Sequence, residues 1–237
     1  MAEHLFRLGE FVLRQEHSAM RVTTDGVLLG AWTSCEGARE ILDVGAGTGL
    51  IALMLAQRCG GKITALEPDE ASYEDLRYNI EHAPWTGRMR AVRKSLQVFA
   101  AGDAEKGRYD LVVSNPPFFP RDKLPGDAGR RVARHALTLT HEELLAGVSR
   151  LLASDGCFYL ILPARYEAKI IALAAERRLF CNRVLRVRPR EGKPDNRVLL
   201  AFGTKKLPLR SGQMVLHEGK GYSNAYRELT KVYYPSS

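Results

Sequence analysis

No stretch of this sequence approaches the ~18 consecutive apolar residues that a membrane-crossing helix needs. The opening residues, MAEHLFRLGEF, carry acids where the apolar core of a leader peptide would lie. A cytoplasmic location is therefore expected. The 4 cysteines, Cys35, Cys59, Cys157 and Cys181, are far apart in the chain and form no CxxC, and the 6 histidines are equally scattered. That spacing gives no reason to expect a disulfide framework, a redox pair or a metal site, so the cysteines are read as reduced and structural. Repeats and low-complexity tracts are also missing. Acidic residues are scarce in one region: residues 165–210 hold 13 Lys/Arg against 4 Asp/Glu, whereas residues 1–164 hold 19 against 21. The net charge of +8 is thus local. An asymmetry of this kind fits either a solvated basic face or a footprint for a polyanion such as nucleic acid.

What is present is the pattern of one α/β domain. The 237 residues are 45% hydrophobic and 26% charged, enough to bury a substantial core. From residue 40, short β-branched or apolar runs alternate with longer segments of helical periodicity. EILDV (40–44), KITALE (62–67), MRAVRK (89–94), YDLVVS (109–114) and GCFYLILP (156–163) read as strands. GLIALMLAQRC (49–59), DEASYEDLRYNIEHA (69–83), HEELLAGVSRLLA (141–153) and RYEAKIIALAAERR (165–178) read as helices. This is the βαβα rhythm of a parallel sheet covered on both faces. It then breaks, because NRVLRVRP (182–189) and NRVLLAFGTK (196–205) flank a polar turn and predict an antiparallel hairpin. Residues 1–39 are expected to form a small element apart from this core of 40–205, a hairpin over 6–15 followed by a short helix capped by Thr24 or Asp25. Residues 206–237 form an appendage ending in a helix at 224–234.

The segment LDVGAGTG lies where the first strand of the core meets its first helix. Gly45 permits the tight turn, Gly47 lets a ligand approach the backbone, and Gly49 opens the helix. The dinucleotide pattern G-x-G-x-x-G would need glycine at position 50, where Leu50 stands, and Asp43 would repel a pyrophosphate. A cofactor with a cationic end suits that carboxylate better. Glu67 closes the second strand 18 residues after Gly49. There it can accept from both hydroxyls of a ribose, or stand as a surface acid before Pro68. With DVGAGTG as glycine motif and ALEPD as acidic motif, residues 40–205 resemble the class I S-adenosyl-L-methionine-dependent methyltransferases. The resemblance implies a Rossmann-like, mostly parallel seven-stranded sheet whose C-terminal hairpin supplies the antiparallel member. It also implies S-adenosyl-L-methionine as cofactor, held by Asp43, Gly45, Gly47 and Glu67. In related enzymes an aspartate often stands at the place of Ser95, which is expected either to contact the cofactor or to cap a turn.

In such a sheet the strand YDLVVS ends beside the cofactor's reactive methyl, and here it runs into NPPFF. A planar exocyclic amine is a weak nucleophile because its lone pair is delocalised. Two acceptors aimed at its N–H bonds, the Asn115 side-chain oxygen and the Pro116 carbonyl, would localise that pair and stabilise the developing charge. The prolines hold the loop rigid and remove two donors, and Phe118 offers a face for stacking. Otherwise the run is a strand-ending turn with Phe118 in the core. This segment is similar to the (D/N)PP(Y/F) motif of methyltransferases acting on amino groups, which implies catalytic roles for Asn115, Pro116 and Phe118, and a cofactor contact for Asn115.

TTDGVLLGAW, DLVVSNPPFF and YRELTKVYY together resemble the bacterial family that methylates adenine N6 in the anticodon loop of valine tRNA. The resemblance spans nearly the whole chain. It implies a tRNA substrate and a cofactor contact from Thr24 and Asp25, which helix capping would explain equally well. Phenylalanine in the fourth motif position is also common in guanine-N2 enzymes, so rRNA guanine N2 stays open, as does the glutamine amide of release factors. Against the latter, only about forty residues precede the core. A non-enzymatic RNA-binding module is a further alternative. The RNA-facing residues are expected to be Arg186, Arg188 and Arg190, spaced to share a strand face, with Lys193, Arg183 and Arg197 nearby. Across the pocket, Arg121, Lys123, Arg130, Arg131 and Arg134 would add a second basic wall. A monomer is expected.

Overall fold

The computed structural model describes residues 5–18, 21–116 and 139–234. The N-terminal alternation becomes a hairpin of β1 (Leu5–Leu8) and β2 (Phe11–Arg14), followed by helix α1 (Thr24–Trp32). The core then runs β3 (Glu40–Val44), α2 (Leu50–Arg58), β4 (Lys62–Leu66), α3 (Glu70–Glu81), β5 (Met89–Val92), α4 (Leu96–Ala101) and β6 (Tyr109–Ser114). Further along come α5 (His141–Leu151), β7 (Leu152–Pro163), α6 (Glu167–Glu176), β8 (Phe180–Arg188) and β9 (Arg197–Gly203). The chain closes with β10 (Arg210–Val215), the two-residue strands β11 (His217–Glu218) and β12 (Gly221–Tyr222), and α7 (Asn224–Thr230).

Period-two alternation in the central strands gives each sheet face its own core. Ile41, Ile63, Leu111, Val113 and Ile161 pack on one side with residues of α1 and α2. Their neighbours Leu42, Leu66, Val112, Leu160 and Leu162 pack on the other with residues of α4, α5 and α6. Strand order is β10-β8-β9-β7-β6-β3-β4-β5, and β9 runs antiparallel to β7 and β8. The class is the α/β, mostly parallel sheet that the sequence predicts, with its C-terminal hairpin in place.

Three details differ. The sheet has eight strands rather than seven, because β10 adds in parallel to the edge of β8. Its sequence, RSGQMV, buries only Met214, so it has no apolar alternation to announce it. It joins through backbone hydrogen bonds that any sequence can make. The N-terminal hairpin is no separate element, since Leu8, Phe11 and Leu13 belong to the same buried cluster as Leu53, Ile80 and the sheet. Finally, α1 is capped one residue earlier than expected: the Thr23 hydroxyl accepts from Gly26 N at 3.2 Å.

The order also locates a crevice. Strands β3, β4 and β5 are laid outward in one direction, and the chain then crosses back to set β6 on the other side of β3. Ligands of open α/β sheets bind at the carboxyl ends of the strands where the order reverses, which here means between β3 and β6.

Candidate active site

Register brings the motifs together. Val44, the last residue of β3, is level with Leu66 at the end of β4 and with Ser114 at the end of β6. The next residue in each strand is therefore Gly45, Glu67 or Asn115, a row across the carboxyl edge at the reversal point. Ser114 locks the row, since its buried hydroxyl donates to Val44 O at 2.9 Å. Pro116 is buried behind it. The Asn115 side chain makes no hydrogen bond to a described residue.

All three glycines of the turn have positive φ, 69° at Gly45, 56° at Gly47 and 89° at Gly49, a region that costs other residues about 1–3 kcal/mol. A methyl group at Gly45 or Gly47 would meet nothing within 4 Å, whereas one at Gly49 would lie 2.8 Å from Leu76 Cδ1. The first two therefore border open space for a ligand, and the third is small because α3 packs against it. The turn is further tied by Asn79 on α3, whose amide donates to Thr48 O and to Arg14 O, each at 2.8 Å. Asp75 anchors the segment after β2, accepting from the backbone of His17 at 2.8 Å and Ser18 at 2.9 Å.

Both acids are buried. Glu67 Oε2 accepts from Gly47 N at 2.8 Å and Oε1 from Asp69 N at 2.9 Å. Each oxygen keeps a second lone pair for a hydroxyl. Burial raises its pKa, opposed by those two N–H bonds. Asp43 is 1% exposed. Its Oδ2 accepts from Ala52 N at 3.0 Å, and its Oδ1 is buried without a partner. Desolvation, with the charge of Glu67 beside it, pushes its pKa up to about 7. A buried carboxylate oxygen with no donor, under a turn whose glycines face open space, fits a ligand that brings positive charge or N–H donors.

Helix α1 reaches the same edge. A methyl at Gly26 would lie 2.8 Å from Leu50 Cδ2 and 3.9 Å from Asn115 Nδ2. Glycine is what lets this first turn close on the start of α2 and on Asn115. Thr24 sits in that turn, and the Asp25 carboxylate binds Arg197 Nε at 2.7 Å. Arg197 begins β9 opposite Pro163, the end of β7. Ser95 caps α4, accepting from Val98 N at 3.4 Å, beyond the end of β5.

The basic hairpin lies on this edge too, because β8 points the same way as β6 and β7. Arg186 and Arg188 share a strand face as expected, but both are ion-paired: Arg186 with Glu167, its Nε at 3.0 Å, and Arg188 with Asp195 at 3.3 Å. Arg190 lies past the end of β8, with Nη1 donating to Gly219 O at 2.6 Å. Lys193 is exposed in the turn and has no ion-pair partner among the described residues. Arg183 stacks over Trp32 at 4.3 Å. Phe118, Arg121, Lys123, Arg130, Arg131 and Arg134 lie outside the described residues. Among the described residues, no group of three or more His, Cys, Asp or Glu is placed to hold a metal, and no helix is long and apolar enough to cross a membrane.

Comparison with known proteins gives a concordant result. Residues 26–171 match the model of the methyltransferase small domain family. A "tRNA1(Val) (adenine(37)-N6)-methyltransferase" of Pectobacterium carotovorum is 38% identical over 97% of this chain and 93% of its own length. Proteins of the same name from Bacteroides thetaiotaomicron and Trichodesmium erythraeum are 39% and 40% identical, covering 99% and 98% of this chain and 98% and 97% of themselves. Among solved structures, a predicted O-methyltransferase of Agrobacterium tumefaciens superposes with a TM-score of 0.71 at 20% identity, covering 88% of this chain and 96% of its own. A geranyl diphosphate methyltransferase in complex with SAM gives 0.54 at 15% identity, over 76% of this chain and 84% of its own. These two share the fold. The chain is a methyltransferase of the small-domain family, and belongs with the tRNA1(Val) (adenine(37)-N6)-methyltransferases.

Proposed function

We propose that this protein methylates the N6 amine of an adenine in the anticodon loop of valine tRNA, using S-adenosyl-L-methionine. The observation that carries the reading is the row of Gly45, Glu67 and Asn115 at the strand-order reversal, which sets an amide with no hydrogen-bond partner among the described residues beside a glycine turn with open space. When bound, S-adenosyl-L-methionine supplies an electrophilic methyl on a sulfonium centre. Gly45 and Gly47 would admit it, Glu67 would accept from its ribose hydroxyls, and Asp43 would meet its positive charge. Thr24, Asp25 and Ser95 line the same edge as further contacts. Asn115 Oδ1 and the Pro116 carbonyl would accept the two N–H bonds of the target amine and stabilise the charge that develops there. The transferred product's extra proton is acidic, so this site needs no general base. Phe118 is proposed to stack on the adenine.

The anticodon phosphates would lie on the basic carboxyl edge while the target base turns out of its stack. Each phosphate neutralised should add ~0.7–0.9 log units per log unit of salt to the salt dependence of RNA affinity. Arg186 and Arg188 already hold acids, so glutamine in their place should change that slope little, whereas Lys193→Gln should lower it. An equal loss at all three positions would show that the ion pairs open on binding. Acting on tRNA, the protein would work in the cytoplasm, as a monomer.

The decisive experiment incubates an unmodified valine tRNA transcript with protein and S-adenosyl-L-methionine and reads its nucleosides by mass spectrometry. N6-methyladenosine in the anticodon loop is the expected product. Methylguanosine in ribosomal RNA, or methyl transfer to a release-factor glutamine, with the tRNA untouched, would overturn the reading.

A further inference from the structure

The C-terminal appendage buries two tyrosine rings, Tyr226 and Tyr233, and displays two others, Tyr222 and Tyr234. Tyr226, on α7, is 3% exposed, yet Tyr222 and Tyr234 are 39% and 43% exposed. Tyr222 stacks on Tyr226 with ring centres 4.1 Å apart and an interplanar angle of 19°, and His217 stacks on Tyr222 at 5.0 Å and 22°. The three rings form a column. Tyr222, Tyr226, Thr230 and Tyr234 line a depression of about 450 Å³ whose rim includes Arg227 and Lys231, within the size range of small-ligand sites. Lys231 is held by Glu228 at 3.0 Å, whereas Arg227 has no ion-pair partner among the described residues.

Core packing accounts for Tyr226 and for Tyr222, which covers it, but not for the half-exposed Tyr234 beside an open depression. Burial and the neighbouring phenols push the Tyr226 pKa upward, and burial does the same for Tyr234. Tyr222 is covered on both faces by His217 and Tyr226, so the flat face open to a ligand is that of Tyr234, which is 43% exposed, stacks on no ring among the described residues and shares the depression with Arg227. That combination matches a nucleobase with its attached phosphate, since stacking on aromatic rings is tolerant of base identity.

Position supports this occupant. The β11–β12 hairpin that carries His217 and Tyr222 is tied to the basic turn, with His217 N donating to Pro189 O at 3.1 Å and Arg190 Nη1 to Gly219 O at 2.6 Å. That turn lies on the carboxyl edge of the sheet, which also bears Asn115. RNA crossing this edge would run from the reaction pocket over Lys193 and Arg190 to the tyrosine depression.

We propose that the depression formed by Tyr222, Tyr226 and Tyr234 is a stacking site for a second base of the RNA substrate, one that is gripped and not modified. The proposal rests on the RNA reading above. It makes recognition bipartite: one base is presented to Asn115 while another anchors the RNA on the appendage.

The test measures affinity for a fluorescent, unmodified valine tRNA transcript by anisotropy, at several salt concentrations, with S-adenosyl-L-methionine affinity measured in parallel. Tyr234→Ala should weaken RNA binding about 5- to 100-fold, the usual cost of losing one stacked base. The salt slope and the cofactor affinity should stay unchanged, since no phosphate contact is removed. Tyr234→Phe should bind within about twofold of the original, because the ring is what is used. Tyr234 is 43% exposed and stacks on no ring among the described residues, so its alanine variant should melt close to the parent. A Tyr234→Ala variant that binds RNA as tightly as the parent would overturn the stacking site while leaving the substrate assignment intact. A parent protein with no affinity for the transcript would overturn the substrate assignment, and the stacking site with it.

Discussion

Replacing Asn115 by alanine should lower the turnover number for RNA methylation by roughly 10²–10³, the usual cost of deleting one preorganised polar contact to developing charge. Affinity for S-adenosyl-L-methionine should stay within a few fold. The separation follows from position. Cofactor binding is assigned mainly to Glu67, Asp43 and the glycine turn, whereas the Asn115 amide has no partner among the described residues and is free to meet the target amine. Because it holds no described part of the fold together, its removal should leave the melting temperature nearly unchanged. A structural residue would not behave so. An interaction made only in the transition state lowers kcat and kcat/KM together, while one made equally in the ground state raises KM alone. Asn115→Asp keeps an acceptor at the same place and should recover much of the lost rate. Turnover by the alanine variant equal to that of the parent would refute the amine clamp, whatever the nucleoside.

The sequence announced the site better than it announced the site's supports. Gly45, Glu67 and Asn115 stand out because each follows the last residue of a strand with a residue type that has a chemical reason to be there, and Gly47 stands out as the second glycine of the turn between β3 and α2. The register then needs no further signal, since parallel strands of similar length align their ends. The supports lack such marks. Asp75 and Asn79 belong to the buried stripe of α3 with Ser72, Leu76 and Ile80, so its inner face is more polar than a helix packed on a sheet usually is. Spacing shows the stripe, but not that Asn79 reaches Thr48 O or that Asp75 collects the segment after β2. Those partners come from far along the chain.

Charge was the least legible feature. Alternating arginines at 186 and 188 do share a face, but their neutralisation by Glu167 and Asp195 depends on where α6 and the turn settle. Arg197 adds to the basic composition of this stretch, yet it reaches across 172 residues of chain to hold Asp25 at the first turn of α1. Net charge thus marks the carboxyl edge of the sheet, but not which cations on it lack an ion-pair partner among the described residues. Strand β10 was invisible for a different reason: an edge strand can be recruited by backbone pairing alone, and RSGQMV has no apolar face to betray it.

Asp43→Asn should stabilise the protein without cofactor while weakening the cofactor complex. The carboxylate is buried, one of its oxygens has no donor, and its pKa is pushed up to about 7 from an ordinary 3.8. A folded-state pKa above the unfolded value means that the fold retains the proton. The group's contribution to stability is then complete at low pH, falls as pH rises from about 4 to about 7, and stays lost above that. At about 1.4 kcal/mol per pH unit the full loss amounts to a few kcal/mol. Asparagine removes the titration and keeps an acceptor for Ala52 N, but it brings an amide N–H that would itself lack a partner. A gain of about 1–3 kcal/mol at pH 8 is therefore expected, or several degrees in melting temperature, shrinking towards zero by pH 4. Cofactor affinity should move the other way. Losing a charged partner for the cationic ligand costs about 1.5–3 kcal/mol, roughly 10- to 100-fold in Kd. For the parent, affinity should rise with pH and level off above about 7, as ligand binding favours the ionised carboxylate, and for the variant this pH dependence should vanish. Calorimetric titration with S-adenosyl-L-methionine at pH 6, 7 and 8, alongside melts without cofactor, reads both effects. An asparagine variant that melts lower than the parent at pH 8, or that binds the cofactor equally well at every pH, would show that Asp43 is a packing residue of the turn and not its anionic contact.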